Sequence, residues 1–197
     1  MKQNLTSLIQ SPIKVTLFDT NGRQVDNVIN IEKKVARNMF SIINYVFFDS
    51  SSAEIPTRYK QLSEKEKDKF SIDQIRTDSA INLYHNVLNI LGTRLQNKPD
   101  ATINLTGTNS NNGTEANNIA LSKKRAEAVK NYLVNTWNID PKRINVDGQN
   151  LPDQPSRVNT GYGEEENRRV EISSNDPDIF LPVKYIDTSF KIGRAHV

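Results

Sequence analysis

Between Asp78 and Asn97 the apolar residues Ile81, Tyr84, Val87, Leu88, Leu91 and Leu95 recur at steps of three and four, which predicts one long helix with a single buried stripe. Asp78 or Ser79 is placed to cap its start, and Lys98-Pro99-Asp100 stops it. Such a stripe needs an apolar layer to lie against. The next residues supply one, because Ala101 to Thr106 (ATINLT) alternates in the manner of a strand. A polar loop, Gly107 to Gly113, then leads to a second helix from about Glu115 to Asn135, with Ile119, Ala126, Val129, Tyr132 and Leu133 on its buried face. Asn44 to Asp49 (NYVFFD) reads as a buried strand ahead of the first helix, and Ile144 to Val146 and Arg168 to Ser173 read as strands behind the second. Asp140-Pro141 opens a helical turn, with proline at its first position. The order strand, long helix, strand, helix, strand, strand implies an α+β fold: a β-α-β-α-β-β sandwich, with a mixed sheet and helices packed on one face.

The flanks are less regular. Asn21-Gly22 lies between short apolar runs over Ile13 to Val28, a hairpin signal that suits the end of a preceding β domain. Glu32 to Asn38 suits a short helix, Arg58 to Thr77 a charged and solvated insertion with a helical turn, and Leu151 to Glu166 a long polar loop. Asp176-Pro177 begins an extension. The expected organisation is a hairpin and linker over 1–40, a domain over 41–175 and an extension over 176–191. The last six residues, 192–197 (IGRAHV), read as a translated sequencing adapter and are expected to be non-native; a genuine tail is the alternative.

Composition removes whole classes of chemistry. A chain of 197 residues without cysteine has no disulfide, thiolate metal site or thiol nucleophile. Two histidines, His85 and His196, do not make a histidine metal cluster. A net charge of +3 is a slight excess over many charges, and the Lys123-Lys124-Arg125 triplet lacks the interleaved aromatics of a nucleic-acid surface. No run of eighteen apolar residues is long enough to span a membrane as a helix, and the first residues lack the apolar core of a signal peptide. Glu164 to Glu166 reads as a solvated loop, Arg168 and Arg169 as structural pairs, and Asp49 with Glu54 as an unsupported glycosidase pair. The 24 asparagines favour polar loops and turns.

From Asn44 to Ser173 the chain resembles the OmpA-like C-terminal domain, a peptidoglycan-binding module of bacterial envelopes. The stretches that carry the resemblance are YVFFDSSSAEI, INLTGTNSNNGTEANNIALSKKRAEAVKNYL, IDPKRI and ENRRVEI. The family pattern runs from a Gly-x-Thr-Asp loop through a Gly and an Asn to Leu-Ser-x-x-Arg-Ala. Gly113, Asn118, Leu121, Ser122, Arg125 and Ala126 match it at the family's spacing. The resemblance implies an OmpA-like sandwich, no enzymatic activity and no cofactor or metal. It also implies a place at the periplasmic face of the outer membrane. The implied partners are the peptidoglycan stem peptide and other envelope proteins, not nucleic acid.

A site is implied as well. In the family the loop aspartate takes the ammonium of diaminopimelate and the helix arginine takes its carboxylate. Arg125 stands at the arginine position, but Ser110 replaces the aspartate and carries no charge. Losing a charge-assisted bond costs roughly 1.5–3 kcal/mol. Thr108 stands where the family has histidine or tyrosine, and Asn109, Asn118 and Ser51 complete the candidate set. The physical logic is that free N–H groups and the helix dipole converge after the loop, while a long arginine fork reaches back to hold a carboxylate in two places. The competing reading has Arg125 paired inside the chain with Glu115, Glu127 or a sheet-edge carbonyl, and Ser110 as loop filler. The function then divides between wall tethering and a degenerate domain kept as a structural or protein-interaction scaffold.

Overall fold

The computed structural model describes residues 17–18, 20–25, 31–75, 80–157 and 160–192. Asn21-Gly22 turns the chain so that β1 (Leu17–Phe18) pairs antiparallel with β2 (Gln24–Val25). Gly22, at φ +76°, takes the left-handed conformation that such a turn demands. The next element corrects the expectation of a helix over Glu32 to Asn38. Residues Ile31–Phe40 form strand β3, and its sheet partner is β8 (Val183–Ile192) from the far end of the chain. A partner strand 150 residues away in sequence leaves no local signal, so local helix propensity is overridden. The expected cap at Asp78 or Ser79, and residues 193–197 of the expected foreign tail, lie outside the described residues.

The remaining elements are β4 (Tyr45–Phe47), α1 (Glu64–Lys67), α2 (Ala80–His85), α3 (Val87–Asn97), β5 (Ile103–Gly107), α4 (Ile119–Trp137), β6 (Ile144–Gly148), α5 (Gly161–Asn167) and β7 (Arg169–Ser174). Their sheet has the order β4-β7-β5-β6. Strands β5 and β6 are parallel, from Ile103 opposite Ile144 to Gly107 opposite Gly148, and α4 makes the crossover between them. Strand β7 inserts between β5 and β4, antiparallel to both. The fold is therefore the expected mixed α+β sandwich.

Alternation along the strands makes the core. Val46, Ile103, Leu105, Ile144, Val170 and Ile172 are buried together with Leu88, Leu91 and Leu95 of α3 and Ala126, Val129, Leu133 and Trp137 of α4. Asn104, Asn145 and Ser173 point to the exposed face. Gly107 allows β5 to meet α4, because a Cβ there would lie 1.8 Å from the Ser122 carbonyl oxygen.

Four sequence expectations change in detail. The long helix is broken at Asn86, whose Nδ2 donates to the Asn82 carbonyl, and Ile81 is exposed. Ile119 is likewise exposed at the start of α4. The loop over Leu151 to Glu166 contains most of α5, because Thr160 caps it through the Gly163 N–H and the Asn167 side chain ties its end to both backbone polar groups of Ser156. In the charged insertion, Tyr59, Leu62 and Ile75 are buried anchors beneath an exposed charged surface.

The chain divides into two compact units, residues 1–36 with 186–197 and residues 37–185. The smaller holds the β1–β2 hairpin and the larger holds the four-stranded sheet with its helices. Among the described residues no helix is long and apolar enough to cross a membrane, and no group of three or more His, Asp or Glu residues is placed to hold a metal ion.

Candidate functional site

Beyond Gly107 the chain leaves β5 and turns over the start of α4. Asn118 caps that helix, its side-chain oxygen accepting from the Leu121 N–H at 3.0 Å. Asn109 fixes the loop from inside. Its amide donates to the Asn118 carbonyl at 3.0 Å and to the Ser122 hydroxyl at 2.9 Å, and its oxygen accepts from the Asn111 N–H. Thr108 is held by β7: its hydroxyl donates to the Asn167 carbonyl at 2.6 Å, and its N–H donates to the Arg169 carbonyl. Thr108, Asn109 and Ser110 are thus buried scaffold, with their polar groups paired inside the molecule.

Arg125 enters this loop from α4 with its side chain fully buried. Nε donates to the Ser52 carbonyl at 2.8 Å, Nη1 to the Thr108 carbonyl at 2.9 Å and Nη2 to the Asp49 carbonyl at 3.0 Å. The guanidinium also lies 5.7 Å from the centre of the Phe48 ring. One side chain therefore joins the end of β4 to the loop after β5.

A carboxylate already meets this arginine, and it belongs to Glu115. Its Oε1 accepts from Arg125 Nη2 at 2.6 Å and from the Ser51 N–H at 2.7 Å. Its Oε2 accepts from the Ser110 N–H at 2.9 Å and the Ser110 hydroxyl at 3.0 Å. Arg168 Nε faces the same oxygen at 3.4 Å, buried and without a hydrogen bond. Burial pushes the Glu115 carboxyl up, but the hydrogen bonds from Arg125 and from the Ser110 and Ser51 amides outweigh it and bring it down to about 2. Arg125 itself is lowered, chiefly by burial.

The structure thus brings Ser51, Ser110 and Arg125 together around one carboxylate, while Thr108, Asn109 and Asn118 shape the loop around it. Among the internal partners open to Arg125, Glu115 and backbone carbonyls are used, whereas Glu127 lies on the exposed side of α4. Ser51 is exposed, with φ +56°, and its hydroxyl is 2.6 Å from that of Thr114. The second cation, Arg168, is read from the sequence as a structural pair, and it pairs with Glu164 at 3.1 Å as well as facing Glu115; the sequence alone does not place it beside Arg125. Beside the cradle, Phe47, Asp49, Arg58, Tyr162, Glu165 and Arg168 line an open cleft of about 660 Å³.

The sequence profile described as the OmpA family matches residues 47–168, more than half of the chain. Outer membrane protein A of Bordetella avium is 44% identical over 71 residues, covering 36% of this chain and 36% of that protein. Outer membrane protein Omp38 of Acinetobacter baumannii is 32% identical over 161 residues, covering 81% of this chain and 35% of that protein. The chain thus spans about a third of the length of these relatives. The peptidoglycan-associated lipoprotein of Burkholderia pseudomallei superposes with a TM-score of 0.47 at 18% identity, over 68% of this chain and 91% of that one. The C-terminal domain of Helicobacter pylori MotB superposes with a TM-score of 0.43 at 16% identity, over 70% of this chain and 88% of that one. Strand order and core, not these overlays, define the fold.

Proposed function

The chain belongs to the OmpA family, and from that premise we propose that it is a non-catalytic peptidoglycan-binding module of a bacterial envelope protein, tethering that protein to the wall at the periplasmic face of the outer membrane through stem-peptide carboxylates. One observation carries the reading: the cradle of Arg125 and the Ser51 and Ser110 amides holds a carboxylate. Donors arranged for one carboxylate suit another of the same shape, and a bidentate or charge-assisted set selects that group over neutral ones. Arg125 is the anchor in this proposal. Ser51 and Ser110 supply the amides, and Thr108, Asn109 and Asn118 hold the loop in place.

A second reading has its own observation. The Glu115–Arg125 pair is buried at 1% and 0% side-chain exposure, so the cradle is complete without any external group. On that reading the module is a scaffold for other envelope proteins.

Co-sedimentation with purified sacculi separates the two. Wild type is expected to be retained and Arg125→Lys, which keeps the charge but loses the planar fork, to bind about 10- to 100-fold more weakly while still melting cooperatively. Equal retention of both proteins would move the wall contact elsewhere on the surface. Retention of neither would favour the scaffold.

A further inference from the structure

Within residues 111–117, the segment that carries Glu115, every residue but Glu115 is exposed. Asn111, Asn112, Gly113, Thr114, Ala116 and Asn117 all lie at the surface, and only Glu115 turns inward, to 1% exposure. It does so from a single helical turn, Gly113–Glu115, set between left-handed residues Asn111 and Asn117. Gly113 at φ +52° has open space where a side chain would stand. The donors, in contrast, are fixed. Arg125 rides on a helix of 19 residues and is also braced by three backbone carbonyls, those of Asp49, Ser52 and Thr108. Arg168 Nε is a buried donor with no hydrogen bond, 3.4 Å from Glu115 Oε2.

Removing the Glu115 carboxylate would leave the Arg125 cation, the Ser51 and Ser110 amides and the Ser110 hydroxyl without an anion, beside an Arg168 that keeps its pairing with Glu164. That is a built anion site, and its present occupant is tethered to the chain. A tethered ligand acts at an effective concentration of about millimolar or more, so an external carboxylate must exceed that threshold or bring additional contacts.

We propose that Glu115 is an intramolecular competitor for the Arg125 cradle, so that a carboxylate from outside binds only by exchanging with it. The proposal rests on the reading that this cradle is the wall-binding element, and it adds that the site is closed until Glu115 leaves. The exchange makes and breaks hydrogen bonds and an ion pair only, with no covalent step. Its chemical consequence is selectivity. A lone carboxylate gains only what Glu115 gives up, whereas a stem peptide that also fills the adjoining cleft near Asp49, Arg58 and Arg168 gains more.

The test uses the full chain, with sodium acetate as probe and sodium chloride at equal ionic strength as control. Glu115→Ala is expected to melt below wild type and to recover part of the loss saturably with acetate but not chloride, while wild type shows no acetate-specific shift. An acetate response equal in wild type and variant, or absent from both, overturns the proposal. Should Glu115→Ala fail to fold, Glu115→Gln keeps the side-chain shape and is titrated in the same way, with acetate binding at least about tenfold tighter than to wild type as the supporting result and equal binding as the overturning one. Sacculus retention is read separately. An acetate-responsive variant that sacculi do not retain leaves the competitor standing and removes the wall reading. Equal retention of wild type and variant without an acetate response does the reverse.

Discussion

Glu115 and Arg125 set the acid stability of the loop. The carboxyl is held at about 2, below the ordinary glutamate range, because donors from three segments favour the charged form. A depressed acid contributes stability that is fully present above its unfolded pKa and is lost as pH falls through its folded one. The window for this group is therefore about pH 5 down to 2. Wild type is expected to lose melting temperature steadily across the window, and Glu115→Gln to lose clearly less; parallel acid titrations by circular dichroism would expose a wrong assignment as two equal slopes. At neutral pH the same variant should melt lower than wild type, because it leaves Arg125 buried without its counter-charge. Glu115 stands within the motif and was legible as a possible partner. What spacing could not decide was which of several acids the arginine would take, since Glu127 is nearer in sequence yet lies on the outer side of the helix.

Elements followed from periodicity where burial had one direction and departed from it where burial had two. Val87, Leu88, Leu91 and Leu95 face the main core, as the stripe implied. Leu83 and Ile90 instead join Ile75 and Val183 in a second cluster, so α2 and α3 together bury two faces and part at Asn86. Asn89, polar and fully buried, spans the gap by donating to the Lys60 carbonyl and accepting from the Tyr132 hydroxyl at 2.6 Å. The close passage of α3 and α4 depends on Gly92, where a Cβ would stand 2.3 Å from the Trp137 ring. Gly92→Ala gains helix propensity but must push the two helices apart, and overpacking of this kind costs about 1–3 kcal/mol. A lower urea midpoint with an altered Trp137 fluorescence spectrum is the expected result; unchanged stability would mean that the ring has room to move.

The whole chain combines a larger unit over residues 37–185 with a smaller one formed from its two ends. Ile179 and Val183, in the stretch expected to be a mere extension, are buried in the main and second clusters. We expect a truncated protein of residues 37–185 to unfold in one cooperative transition with the near-ultraviolet signal of a packed Trp137, whereas stopping at residue 175 should lower the melting temperature by removing both apolar anchors. Equal melting of the two truncations would assign the extension to another unit. Sacculus retention by the 37–185 protein would localise wall binding to the unit that contains the cradle.

Local order was readable from the chain because its causes are local. Side-chain period selects helix or strand, a proline or capping residue ends an element, and Asn-Gly turns a hairpin, so the mixed sheet with its helices is legible in the chain, and the motif in its resemblance to the OmpA-like family. Pairings between distant residues were not readable in that way. The insertion of β7 between β4 and β5, the union of β3 with β8, and the seating of Glu115 against Arg125 each depend on which groups folding brings within about 3 Å of one another, where hydrogen bonds form. At that range a carboxylate carried on an exposed turn can fill a cradle that the sequence pattern assigns to a ligand.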